Sequence, residues 1–394
     1  MPAPTTGPEI VVGIGAAARW CSDIVLELGE DHPTAHGLLR LAVHLDGDNP
    51  ADARIVTAEP LVGHLHRGVE KLFEVRDYRA ILALANRHDW HSSYAGELGI
   101  ALGVEAMLGL EVPARATWLR TLLAEYTRII HHLTFLAHAP LPGGLLPDDD
   151  TLHQLRERLV TGLESATGGR MHPMVLRIGG LVADMPAGWF AQVEEDVAAV
   201  RAALPRLQDA LVSPRVVTAT RGIGVLDATT ATAYGALGVI SRAAGLATDL
   251  RRDEPYLAYD VLFGPDGPGR VVTAEHGDTL ARWDVLAGQC AVSIDLVTAC
   301  LDELRQMAPG PVDVRLPKVL RVPEGSHYVS TEAPAGHAGY LIVSRGEKTP
   351  WRLAMRTPSF AAASALPHVL PGHRIADLAP IIGSLCLVVG DIDR

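Results

Sequence analysis

The stretch from Ala85 to His138 constrains this chain most, because it sets two long helical segments directly behind a dense polar knot. The knot is Asn86-Arg87-His88-Asp89-Trp90-His91-Ser92. Behind it, Tyr94, Leu98, Ala101 and Leu102 recur at helical spacing, and Gly109 supplies a stop. A second helix is expected to open with Pro113 at its first position and to run to about His138, with Leu119, Leu122, Leu123, Tyr126, Ile130 and Leu133 as its apolar stripe. Glu125, Arg128 and His132 stack on another face of that helix. Glu105 falls in line with the apolar stripe of the first helix, where an unpaired carboxylate would be costly. Two neighbouring helices that turn charge inward imply a polar site inside a helical bundle.

Around this pair the pattern is mixed. Ile10–Ile14, Ile24–Leu28, Leu38–Leu45 and Ala53–Ala58 read as strands. Short helices follow, up to Val75 and over Tyr78–Ala85. Asp148-Asp149-Asp150 caps a helix carrying Leu152, Leu155, Leu159 and Leu163 and stopping at Gly168. The stripe Val193 to Leu211 is a further helix, kinked or split at Pro205. Arg221–Val225 reads as a strand, Thr229–Leu237 as a helix, Tyr256–Gly269 as loop, and about Gly277–Met307 as the longest helix, with Cys290 a core thiol. His327–Thr331, Gly339–Ser344 and Trp351–Met355 alternate like strands, and helical pieces finish the chain. The expected class is α+β: a multihelical core at 66–310, a β region at 1–65 and a β/α region at 311–394, packed as one unit with the core.

Composition removes several functions. A formal net charge of −12 with no basic block argues against a nucleic-acid partner. The four cysteines, Cys21, Cys290, Cys300 and Cys386, show no metal or disulfide spacing, which fits a reducing compartment. Met1–Pro8 lacks the features of a signal peptide, and the longest apolar run, Leu378–Gly390, is too short to span a bilayer. There is no nucleophile elbow, phosphate loop or His-Glu-x-x-His, and Gly13 and Gly15 lack the third glycine of a dinucleotide fingerprint. Seventeen histidines invite a metal hypothesis, but His131-His132 and His88/His91 do not share a helical face with carboxylates at ligand spacing, so no metal site is expected.

The remaining polar motifs, taken in order, resemble one family. His32-Pro33-Thr34-Ala35-His36-Gly37, Glu59-Pro60-Leu61-Val62-Gly63-His64-Leu65-His66-Arg67-Gly68-Val69-Glu70-Lys71-Leu72, Gly169-Arg170-Met171-His172 with Arg177, Gly179 and Gly180, Gly372-His373 with Ala376-Asp377, and the ending Gly390-Asp391-Ile392-Asp393-Arg394 are similar to the D subunit of proton-pumping NADH–quinone oxidoreductase, complex I. The resemblance covers about Gly29 to Arg394. It implies a fold like the large subunit of nickel–iron hydrogenases, which hold their metal with two Cys-x-x-Cys pairs. Asp89 and Ser92 stand where the first pair would be, and Val388 and Asp391 where the second would be, so this chain has no thiolates for a Ni–Fe centre.

The resemblance further implies a chain that carries no redox cofactor itself and lies at the cytoplasmic face of the cell membrane. Its partners would be the iron–sulfur B subunit with a [4Fe–4S] cluster, the C subunit and the quinone-channel membrane subunit, with NADH and FMN in remote subunits. Quinone would enter between this chain and the iron–sulfur partner. Arg67 and His172, with Arg87 and Asp89 of the knot, would lie on the cluster side, where a cation and an imidazole raise the cluster's potential and link it to a proton. For Arg67 the structural alternative is a pair with Glu70 or Glu105. His36 would meet the quinone headgroup together with Trp90, which stands in place of the family's tyrosine and offers an indole N–H but no phenolic proton. Leu141 stands where the family has the aspartate that orients the histidine, and Glu30-Asp31 where it has Pro-Gln. These departures leave two alternatives: a related membrane complex with another donor or acceptor, and a scaffold paralogue that has lost its chemistry.

Overall fold

The computed structural model describes residues 20–28, 32–34, 38–47, 49, 52–147 and 149–394. The strand expected at Ile10–Ile14 and the headgroup residue His36 lie outside them. The class is α+β, with small sheets towards either end of the chain and helices between them.

The first sheet is antiparallel, β1 (Trp20–Glu27), β2 (Arg40–Gly47) and β3 (Arg54–Leu61), paired in that order with Ile24 opposite Val43. Leu41, Val43 and Leu45 alternate inward along β2, as a strand with one buried face requires. Ile55 of β3 exchanges backbone bonds with Gly372 and His373, which ties the first sheet to the last part of the chain. A two-residue hairpin, β4 (Leu176–Arg177) with β5 (Gly180–Leu181), follows the Arg-Met-His turn. The third sheet is β6 (Gly325–Ala333), β7 (Gly336–Ser344) and β8 (Arg352–Arg356), again antiparallel.

The body is built from α1 (Ser93–Leu108), α2 (Ala114–Ala137), α3 (Thr151–Thr167), α4 (Trp189–Leu211) and α5 (Thr279–Gln306), with α6 (Ile375–Ser384) and a terminal turn, Val389–Asp393, closing the chain. α1 is buried nearly all round. Its glycines make that possible: a Cβ on Gly99 would overlap the Tyr340 ring, and one on Gly103 would sit 2.7 Å from Ile342. The third sheet therefore packs at backbone distance on this helix. α5 is long and apolar enough by length and composition to cross a bilayer, yet 67% of that apolar window is buried within the protein, as in a core helix. Cys290 on it is buried, and burial pushes its thiol up to about 12.

Several boundaries differ from expectation for identifiable reasons. Pro113 is the N-cap of α2 and not its first helical residue, with ψ 138 taking it out of the helix. The N-cap of α3 is Asp150, which makes no side-chain capping bond, and Asp149 Oδ1 instead accepts the Thr151 N–H at 2.7 Å. α4 continues through Pro205, its apolar stripe holding the turn that proline deprives of a hydrogen bond. Arg221–Val225 is not a strand. Gly222 N–H goes to Asp278 Oδ2 and Gly224 N–H to His373 Nε2, so side chains use the donors a neighbouring strand would need. The helix expected at Thr229–Leu237 covers Ala228–Tyr234, stopped by Gly235 in the left-handed region, and the loop 256–269 contains a helical turn at Tyr259–Leu262.

Candidate functional site

The polar knot is a buried turn organised by one carboxylate. Asp89 Oδ1 accepts the backbone N–H groups of His91 (3.1 Å) and Ser92 (3.0 Å), and Oδ2 accepts the Ser92 hydroxyl. The terminal segment closes over this turn. His88 Nδ1 meets Asp391 Oδ1 at 2.8 Å, Asp391 Oδ2 accepts the Ser359 N–H at 2.9 Å, and a Cβ on Gly390 would overlap the Trp90 ring. Asp89 and Asp391 are thus brought together as two buried carboxylates. Burial first, and then the charge of Asp391, raise Asp89 to about 6; Ser92 and His88 oppose this.

That shift has a signed consequence. A carboxylate raised from its usual 3.8 to about 6 contributes stability below its unfolded value and loses it as pH rises through 6. Asp89→Asn keeps an oxygen for the two backbone donors. It is expected to leave stability unchanged in acid and to raise it by about 2–3 kcal/mol above pH 6. Urea unfolding across that range checks it; a variant weaker than wild type at neutral pH would refute the charge argument.

The terminal segment also holds the loop bearing Arg67. Asp393 Oδ1 accepts Gly63 N–H and Oδ2 accepts Leu65 N–H, both at 2.7 Å, and His66 Nδ1 lies 2.7 Å from the Asp393 carbonyl, which raises the His66 pKa. Arg67 itself is exposed. The carboxylates offered as its structural partners are taken: Glu70 pairs with Arg352 and accepts Met355 N–H, and Glu105 holds Arg120 through two bonds of 2.7 and 2.9 Å. Glu105 also accepts Gly179 N–H at 2.6 Å, so the carboxylate in the apolar stripe is fully used.

His172 is half-buried on the turn before β4, and that turn is tied to the start of α1 by the Ser93 hydroxyl on the Met171 carbonyl. Burial, and then Arg87, lower its pKa, while the Asn86 backbone works the other way. Arg87 is exposed and donates to Asn86 Oδ1. The structure therefore brings Arg87 and His172 together, while Asp89 faces His88, Ser92 and Asp391; it places Arg67 on a separate loop that shares only the terminal anchor.

The inward face of α2 is larger than its own residues suggest. Arg128 meets Glu125 at 3.2 Å, but Glu125 also takes Arg251, the Tyr259 hydroxyl and the Ser293 hydroxyl. Arg251 pairs with Asp249, and Arg242 pairs with Glu332 at 2.7 Å. His132 is held near 3 by burial and by Arg128, so it is neutral and accepts from the Gln289 amide, whose oxygen in that orientation accepts from Arg242. Three guanidinium groups and three carboxylates compensate one another inside the bundle. Asp249, Arg251 and Glu332 carried no sequence signal, since each lies in a short irregular segment or at a strand end far along the chain.

A cavity of about 1060 Å³ lies between the first sheet, the end of α2 and α6. Leu141, His32, His138, His153 and Leu378 line it, and Trp90 does not. His32 is committed structurally, with Nε2 on the Ala379 carbonyl and Nδ1 accepting Thr34 N–H, both at 3.0 Å. Among the described residues, no group of three or more His, Cys, Asp or Glu side chains is placed to hold a metal.

The family described as respiratory-chain NADH dehydrogenase, 49 Kd subunit, matches residues 151–320 and 315–394. From Salinispora tropica, the second of the proteins named as the D subunit of NADH-quinone oxidoreductase is 51% identical over 98% of this chain and 97% of its own. From Streptomyces coelicolor, the first of the proteins so named is 50% identical over 99% of this chain and all of its own. The second so named from Rhizobium etli is 34% identical over 94% of this chain.

Proposed function

From the premise that the chain belongs to the respiratory-chain NADH dehydrogenase 49 Kd subunit family, as the D subunit of an NADH-quinone oxidoreductase, we propose that it forms one wall of the quinone-reduction site of a proton-translocating complex. The opposite wall would be the B subunit with its [4Fe–4S] cluster; the C subunit and the quinone-channel membrane subunit would complete the surroundings. The chain would then sit peripherally on the cytoplasmic side of the cell membrane. The observation that carries this reading is the terminal segment, which binds both the Arg67 loop, through Asp393, and the Asp89 turn, through Asp391.

The chain's residues suit a neighbour of an iron–sulfur cluster and not a ligand set. Cys290, Cys300 and Cys386 are buried, and burial raises all three thiols, whereas Arg67, Arg87 and His172 present cations and an imidazole outward. The cluster, when bound in the iron–sulfur partner, supplies single electrons. Arg67 and Arg87 stabilise added negative charge there, and His172 takes up a proton as that charge grows. On the quinone side His36 donates to a headgroup oxygen, and the Trp90 indole N–H provides a second donor.

The test is affinity purification of the tagged chain from its native membranes. Flavin, iron–sulfur and membrane subunits with NADH–quinone activity are expected to co-purify, and His36→Ala should abolish quinone turnover while NADH oxidation by ferricyanide continues. An unchanged quinone rate would remove His36 from the site. Trp90 and Leu141 favour a second reading, in which the acceptor differs. Trp90→Tyr combined with Leu141→Asp should raise ubiquinone turnover if the acceptor is a standard quinone; no gain supports the second reading.

A further inference from the structure

We propose that Glu97 is a second proton-binding group of the cluster-facing surface, taking up a proton as negative charge is added beyond Arg87 and His172; this rests on the reading above. Glu97 lies near the start of α1, directly beneath that surface, and is fully buried. Its Oε1 accepts the Asn86 side-chain N–H at 2.5 Å, while Oε2 has no hydrogen-bond partner among the described residues. A buried carboxylate with an empty oxygen is costly as an anion and is satisfied more readily as an acid.

The connection to the surface is short. Asn86 donates to Glu97 and accepts from the Arg87 guanidinium, so one amide links the buried carboxyl to the exposed cation. The backbone of the same Asn86 contacts His172. Other groups facing Glu97 are the backbone N–H groups of Leu176 and Met174 and the Arg177 guanidinium on β4, which all favour the anion, and the Tyr94 phenol on its own helix, with His88 beyond Gly96. Among the described residues, no cation pairs directly with Glu97. Burial dominates and raises it to about 7, with Asn86, the backbones of Leu176 and Met174 and then Arg177 opposing, which puts its titration in the working range of a cytoplasmic enzyme.

In the step, one electron derived from NADH would reach the cluster held by the partner subunit, and a solvent hydronium would lose one O–H bond to become water as its proton forms an O–H bond at Glu97 Oε2; no bond in this chain breaks. The added negative charge raises the proton affinity of Glu97 as it does that of His172, so the two share the coupling.

The test is a redox titration of the cluster in the intact complex at several pH values around 7, for wild type, Glu97→Gln, His172→Gln and the double variant. The amide oxygen introduced by Glu97→Gln still accepts from Asn86, so the turn is preserved. The slope of midpoint potential against pH is expected to fall in each single variant and to vanish in the double. Glu97→Asp, which keeps an acid, should retain a slope centred at a different pH. The reduced-minus-oxidised infrared difference spectrum should contain a protonated-carboxyl C=O band that Glu97→Gln removes. A wild-type slope and an intact band in Glu97→Gln overturn the proposal and leave the cluster assignment standing. If His172→Gln and charge-removing variants of Arg87 also leave both the level and the slope unmoved, the cluster is not at this face, and the proposal and the reading beneath it fall together.

Discussion

Arg251→Met is expected to cost about 3–5 kcal/mol of folding stability, because it strands two carboxylates inside the bundle. Arg251 is 1% exposed, and its guanidinium bonds Asp249 at 2.7 Å and Glu125 at 3.1 Å. Removing it leaves Arg128 and Arg242 to serve three buried acids. The loss follows from uncompensated charge and not from the worth of the pair, so a second variant separates the two. Adding Asp249→Asn to Arg251→Met, which leaves Arg128 with Glu125 and Arg242 with Glu332, should restore much of the stability, as buried ion groups replaced together often cost little. The pH dependence has a definite sign. Arg128 and Arg251 outweigh burial and hold Glu125 near 2, below its usual 4.5, so its contribution is present above 4.5 and is lost as pH falls towards 2. The gap between wild type and Arg251→Met should therefore be widest at neutral pH and close in acid. Denaturant unfolding at a series of pH values measures it, and a gap that persists unchanged in strong acid would remove the electrostatic explanation.

The same cluster marks what the sequence discloses and what it hides. Period alone placed Glu125, Arg128 and His132 on one inward face and set Glu105 in an apolar stripe, and both placements describe real buried polar groups. The partners were hidden by distance along the chain. Arg120 is fifteen residues from Glu105 but on the next helix, while Arg251 is 126 residues from Glu125. A helix pattern says which way a charge points and nothing about what arrives to meet it. Glu97 escaped for a different reason: on a helix buried on every side there is no polar face to contrast with, and its glycine-lined contacts leave no periodic signature. Arg221–Val225 failed as a strand because its donors are taken by Asp278 and His373 from distant elements. The motif resemblance supplied the family, which neither helix period nor charge pattern could have done.

Asp391→Ala is expected to lower NADH–quinone turnover about 100-fold while leaving NADH oxidation by an artificial acceptor at the flavin end nearly intact. Asp391 is completely buried and serves three elements: the His88 imidazole, the Ser359 backbone N–H and, through its carbonyl, the Thr357 hydroxyl at 2.7 Å. Alanine removes the first two partners and leaves both donors unsatisfied in the interior, at about 1–3 kcal/mol each. The cost falls locally, on the seam between the terminal segment and the Asp89 turn, where Trp90 packs on Gly390. Since the Asp391 charge raises Asp89, its removal also lets Asp89 ionise at lower pH, so the Asp89→Asn and Asp391→Ala effects should be strongly non-additive. Asp393→Asn provides the contrast, because it disturbs the Gly63 and Leu65 donors and hence the Arg67 loop without touching the turn. Assembly is scored on native gels before turnover is compared. If assembled Asp391→Ala complex turns over quinone within about a factor of two of wild type, the terminal segment does not position the site, and Asp89 and Asp391 serve folding alone.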